Sequence, residues 1–179
     1  MPKPTTIAAA ALLSFTAAPI MAQTAPGQPA PMSGAPAAAP ATTGADYVAK
    51  AGASDLYERT SSQLMLSSTR SAKIREFATM MLRDHAKSTA DVKRAAAAAR
   101  VRVPAPKLEP EQARMIAELR AASGTERDQV YVQQQQTAHD KALALHSGYA
   151  QSGDAESLRA VAAATAPVVQ HHIEMLKTM

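Results

Sequence analysis

SAKIREFATMMLRDHAKSTADVKRAAAAARV, residues 71–101, carries the pattern that decides the fold. At 100° per residue, Ile74, Phe77, Ala78, Met81, Val92 and Ala96 fall within one stripe, and His85 sits at its centre. The run therefore predicts a long amphipathic helix over Ser71–Val101, ended by Pro104-Ala105-Pro106. Its buried face holds a histidine among aliphatic residues.

The same punctuation marks the rest of the chain. A first long helix is expected over Asp46–Ser68, and a short one over Glu111–Ala122 after Pro110. Ser123-Gly124-Thr125 breaks the chain before a helix over Glu126–Gln151, which Gly153 stops. Asp154 is placed to cap a last helix running to the end of the chain, kinked at Pro167. No tract alternates as a strand would, and 42 alanines with six aromatics suit helices. The expected class is all-α: a four-helix bundle over 46–179 with one short extra helix.

Upstream, Lys3, the apolar stretch Ile7–Ile20 and Ile20-Met21-Ala22 read as a signal peptide over 1–22, cleaved before Gln23. That stretch is shorter than the roughly 20 residues a spanning helix needs, and charges interrupt every later apolar run, so no transmembrane helix is expected in the mature chain. Residues 23–45 are rich in Pro, Ala, Gly, Ser and Thr and read as a disordered or polyproline linker. The expected location is the periplasm or envelope of a bacterium. The absence of cysteine removes thiolate metal sites, disulfides and cysteine nucleophiles. A net charge of +4 without a clustered basic stripe or a stacking platform argues against a nucleic-acid partner.

The inner faces carry the chemistry. His139 is central on the face of Tyr131, Val132, Leu143 and Tyr149, with His146 two turns later. His172 lies among Leu158, Val161, Val168, Val169 and Leu176, while His171 points aside. On the first helix, Glu58 shares a side with Tyr47, Val48, Ala51 and Met65, although Leu56, Tyr57 and Leu64 form a rival face. Glu58, His85 and His139 reach a similar depth in their helices, with His172 about 7 Å out of level at 1.5 Å rise per residue. One carboxylate and three imidazoles, one from each long helix, could hold one zinc, iron, manganese or copper ion, because a metal neutralises the carboxylate and accepts the lone pairs. Asp84 would be an outer partner or a fifth ligand, and Met81 and Met175 soft donors to cuprous copper or plain core filling. The alternative is a purely structural polar layer, with Glu58 facing solvent or paired with Arg59, Arg83 or a lysine. No Glu or Asp stands three residues before a histidine, against the di-iron pattern, and no nucleophile elbow or phosphate loop occurs, so enzymatic activity is not the leading expectation. The run Gln133–Gln136 reads as a solvated face.

Tyr47-Val48-Ala49-Lys50-Ala51-Gly52-Ala53-Ser54-Asp55-Leu56-Tyr57-Glu58, Gln63-Leu64, Phe77-Ala78, Asp84-His85, Tyr131-Val132, His139 and Pro167-Val168-Val169-Gln170-His171-His172 resemble the exported domain-of-unknown-function family 4142 across residues 46–179. The resemblance implies a ferritin-like four-helix bundle of the bacterial envelope, with the short helix inside the crossover between the second and third long helices. It implies no established activity, and recurring polar positions at Glu58, Asp84, His85, His139 and His172. Ser61, Ser62, Ser67 and Ser68 make the first helix more polar than a tight bundle suggests. The function expected is metal binding or a stress-related role in the envelope, with a structural protein that engages an envelope partner as the alternative.

Overall fold

The computed structural model describes residues 42–179; the expected leader and nearly all of the linker lie outside them. Five helices follow in order: α1 Gly44–Ser68, α2 Ala72–Ala98, α3 Pro110–Ala121, α4 Gly124–Ser152 and α5 Glu156–Leu176. Among the described residues there is no strand, and no helix is long and apolar enough to cross a membrane.

The helix ends follow side-chain chemistry. Thr43 accepts a hydrogen bond from the Asp46 amide and Ser71 one from the Ile74 amide, so α1 starts two residues before Asp46. Pro110 supplies the preset φ of the first α3 position, and the Gln112 side chain accepts from the Glu109 amide. Asp154 does not cap α5, whose N-cap is Ala155. Its carboxylate instead accepts from the Tyr149 hydroxyl at 2.8 Å. A Cβ at Gly153 would stand 2.6 Å from the Tyr149 ring, so that stop needs glycine for space.

α2 ends in a Schellman turn, with the Val101 amide bonded to the Ala96 carbonyl at 2.8 Å and Arg100 at φ 56°. A side chain pays a steric penalty in that left-handed conformation. Arg100→Gly is expected to stabilise the fold by about 0.5–1 kcal/mol, a rise in Tm of roughly 2–4 °C by circular dichroism.

α1 pairs with α2, α4 with α5, and the two hairpins face each other through α1 against α4 and α2 against α5. All four contacts are antiparallel. Tyr47 near the start of α1 meets His146 and Tyr149 near the end of α4, and Ser62 meets Tyr131 near the other end. Likewise Ser157 at the start of α5 bonds the Ala95 carbonyl, and Lys73 at the start of α2 bonds the Thr178 carbonyl. The order is thus up, down, down, up, and the crossover from α2 to α4 must traverse the whole bundle. This is the ferritin-like arrangement, with α3 within the crossover.

The core is split in two. Tyr47, Val48, Ala51, Val92, Ala96, Tyr149, Leu158 and Ala162 fill one end, and Met65, Ile74, Phe77, Ala78, Met81, Leu119, Tyr131 and Leu176 the other. Between them lies a layer of buried polar groups: Asp55, Glu58, Ser61, His85, Gln135, His139 and His172. Both faces of α1 are used, because α3 covers the second one. Tyr57 donates to Gln134 Oε1, and Gln134 Nε2 donates to the Met115 carbonyl of α3. Gln134 and Gln135 are therefore buried, and only Gln133 and Gln136 of that run are solvated. Ser61 and Ser62 are buried and hydrogen-bonded, whereas Ser67 and Ser68 are exposed and fold back onto the Leu64 carbonyl.

Candidate metal centre

His85 on α2, His139 on α4 and His172 on α5 meet at mid-height, each offering a ring nitrogen within 4.8 Å of the others. Their ring centroids lie 5.3–6.1 Å apart, and the Phe77 ring stands 6.1 Å from His139 and 6.3 Å from His172. The level difference anticipated for His172 shrinks because α1 begins earlier and α5 later than expected. Glu58 is 14 residues past Gly44 and His172 is 16 past Glu156, an offset of about 3 Å.

Each ring is oriented from behind. His85 Nδ1 lies 2.8 Å from Asp55 Oδ1, and Thr89 donates to Asp55 Oδ2 at 2.7 Å. His139 Nδ1 lies 2.8 Å from the Gln135 carbonyl one turn earlier. His172 Nε2 lies 3.1 Å from Asp84 Oδ2, and Arg83 holds that carboxylate through two further bonds. A carbonyl or a carboxylate can only accept, so in each pair the histidine donates. In the neutral rings the remaining nitrogens, His85 Nε2, His139 Nε2 and His172 Nδ1, carry lone pairs. His139 Nε2 and His172 Nδ1 face each other at 3.3 Å, and His85 Nε2 is buried with no partner in the protein.

Two lone pairs at that distance repel unless a cation or a proton lies between them. Metal–nitrogen bonds of 2.0–2.1 Å in tetrahedral geometry place ligand nitrogens about 3.3 Å apart, so this spacing fits a metal edge. Burial holds the His139 pKa down to about 3, with His85 and His172 adding to the effect, and holds His172 down to about 4. Both are neutral near pH 7. Burial also opposes the charge on His85, but the Asp55 hydrogen bond, Glu58 and Asp84 together raise its pKa.

Glu58 is buried but stands outside the group of three nitrogens. Its Oε1 is 3.7 Å from His139 Nδ1, the ring edge turned away from His172, and neither oxygen has a hydrogen-bond partner in the protein. No Arg or Lys pairs with it among the described residues. Burial pushes its pKa up to about 7, against the pull of His85 and of the nearby Gln135 amide. The ionised carboxylate thus costs about 3 kcal/mol of stability above pH 7, a cost absent below its ordinary pKa of about 4.3.

Asp84 supports His172 across the helix interface, whereas Asp55, which the sequence did not single out, supports its sequence-distant partner His85. His146 is buried seven residues beyond His139 and bonds the Tyr47 hydroxyl at 3.0 Å, while His171 is exposed. Met81 is buried in the core cluster at the α1–α2 turn and Met175 packs against it.

Fold and site together define a four-helix bundle with a buried, pre-oriented histidine cluster. The chain matches the Domain of unknown function (DUF4142) over residues 29–179, and it belongs to that family. Among solved structures it is similar to the DUF305 fragment from Deinococcus radiodurans, with a TM-score of 0.65 and 12% identity, covering 75% of this chain and 93% of that one. At that identity the likeness is one of fold. No curated protein matches the sequence.

Proposed function

We propose that this protein binds a single transition-metal ion through His85, His139 and His172 and acts as a metal-binding protein outside the cytoplasm. One observation carries the reading: an acceptor behind each ring fixes its proton there, which leaves three lone pairs converging in a dry interior. Asp55 and Asp84 would form two carboxylate–histidine–metal relays, the arrangement that orients imidazole ligands and makes them more basic. Their two charges lie close enough to offset those of a dication. Nitrogen donors suit zinc, copper and iron better than magnesium or calcium. The leader read over residues 1–22 supports a place beyond the membrane.

The test is elemental analysis of residues 23–179, purified without a histidine tag or chelator, followed by titration with Zn, Mn, Fe and Cu. Near-stoichiometric metal is expected. At a hundredfold excess over Kd it should stabilise the fold by about 3 kcal/mol, raising Tm by roughly 8 °C. Asp55→Asn should weaken binding about 10–100-fold by loosening His85. Failure of all four metals to bind would make the histidines a structural layer.

A further inference from the structure

The geometry points to Glu58 as the fourth ligand of this centre, a buried carboxylate against His139 whose two oxygens no donor in the protein holds. The inference rests on the tris-imidazole reading above and adds what completes the coordination sphere.

Three observations on the fold converge on Glu58. The other two carboxylates of the layer are each held by two donors: Asp55 by His85 and Thr89, and Asp84 by His172 and Arg83. Neither Glu58 oxygen has a donor at hydrogen-bond distance, although the residue is 1% exposed; the nearby Gln135 amide donates to Ser61 and only lowers the Glu58 pKa from outside that distance. The nearest candidate, His139 Nδ1, has already committed its proton to the Gln135 carbonyl. An unpaired buried carboxylate is costly, so its retention in the middle of the bundle calls for a cation.

The second observation is the distribution of ligands over the helices. α2, α4 and α5 each give one nitrogen, and α1 gives none. Glu58 is the α1 residue that reaches His139, and it completes a set of one ligand per helix.

The third is a second group in the same state. His85 Nε2 is also buried without a partner, and Glu58 lies close enough to influence that ring electrostatically, yet the two make no ion pair. A metal joins such groups across a gap that a hydrogen bond does not span. The motion required is a rotation about the glutamate torsions that carries the carboxylate from the Nδ1 edge of His139 to the side of its Nε2. The completed set, three neutral nitrogens and one anionic oxygen, would select a borderline divalent ion and leave a single net positive charge within the ligand sphere itself, before Asp55 and Asp84 outside it are counted.

Titration with Co2+, whose visible absorption reports coordination number and donor set, tests this in the whole mature chain. Wild type is expected to give the intense bands of a four-coordinate ion. Glu58→Gln, of nearly the same shape, should shift those bands and bind about 10–100-fold more weakly while keeping its helical circular dichroism. Glu58→Asp, one methylene short, should fall between them. The same spectrum and an affinity within twofold in Glu58→Gln would overturn the assignment of Glu58 and leave the three histidines standing. If Co2+ and Zn2+ both failed to bind wild type, the tris-imidazole reading would fall, and this inference with it.

Discussion

His139→Ala is expected to abolish metal binding at micromolar protein, with affinity down by at least about 100-fold, while His171→Ala binds as wild type does. The size of the loss follows from where His139 stands. Its Nε2 forms the 3.3 Å edge with His172, and its ring is 6.0 Å from that of His85, so removing it takes away the ring that neighbours both other histidines. Changes to outer partners of metal ligands cost about 10–100-fold, and loss of a ligand costs more. His171 is one residue from His172 in sequence, yet its side chain is exposed and bonds nothing in the layer. Equilibrium dialysis with Zn2+ on both variants, each first shown to be helical, gives the comparison. Equal metal content in the two would remove the histidine cluster from consideration as the binding site.

The metal-free bundle should also lose stability steeply as the pH falls from 6.5 towards 4, and His146→Gln should flatten that slope by about one proton. Burial lowers the His146 pKa to about 4, against a smaller opposing pull from Asp55. The unfolded chain takes up its proton near pH 6.5, and the folded one only near pH 4. Between those values the unfolded state binds more protons, so acid favours unfolding, and the stability that is complete above pH 6.5 is lost as pH falls through the folded value. One such group is worth about 3 kcal/mol in full, and about 1.4 kcal/mol per pH unit inside the window. His139 and His172 act in the same direction, and Glu58, whose pKa is raised to about 7, and His85, whose pKa is also raised, act in the opposite one. Glutamine at 146 can still accept from the Tyr47 hydroxyl, so the difference in slope isolates a single titration. Urea melts at several pH values with chelator present measure it. Parallel slopes in the two proteins would show that His146 takes up its proton at the same pH in the folded and the unfolded chain.

Much of this architecture is legible in the sequence because a helix repeats its exposure every 3.6 residues. Ile74, Phe77, Met81, His85 and Val92 mark one face without any knowledge of the partner helices, and the 100° step between His171 and His172 separates the exposed ring from the buried one. What the sequence did not disclose depends on which helix lies opposite. Asp84 adjoins His85 in the chain, but the same step aims it at α5, where it meets His172. The support for His85 comes from Asp55, 30 residues upstream, and no local pattern links the two. The rival face of α1 and the buried Gln134 have one cause. α3 lies over both, and a short helix in a crossover carries no sign of where it will dock. The placement of Glu58 against His139 Nδ1, beside the nitrogens, is set by side-chain torsions that periodicity does not resolve.

The divided core also shapes how the molecule comes apart. Each apolar cluster is built from all four long helices, so each end can hold its own segment of the bundle, while the layer between them is joined by hydrogen bonds such as His85–Asp55 and His172–Asp84 rather than by apolar burial. Proteins open in cooperative subunits whose free energies follow local burial. Here the natural seam is the histidine layer itself, and an ion bound across it would act as a rivet, turning two separately breathing halves into one unit that opens only as a whole.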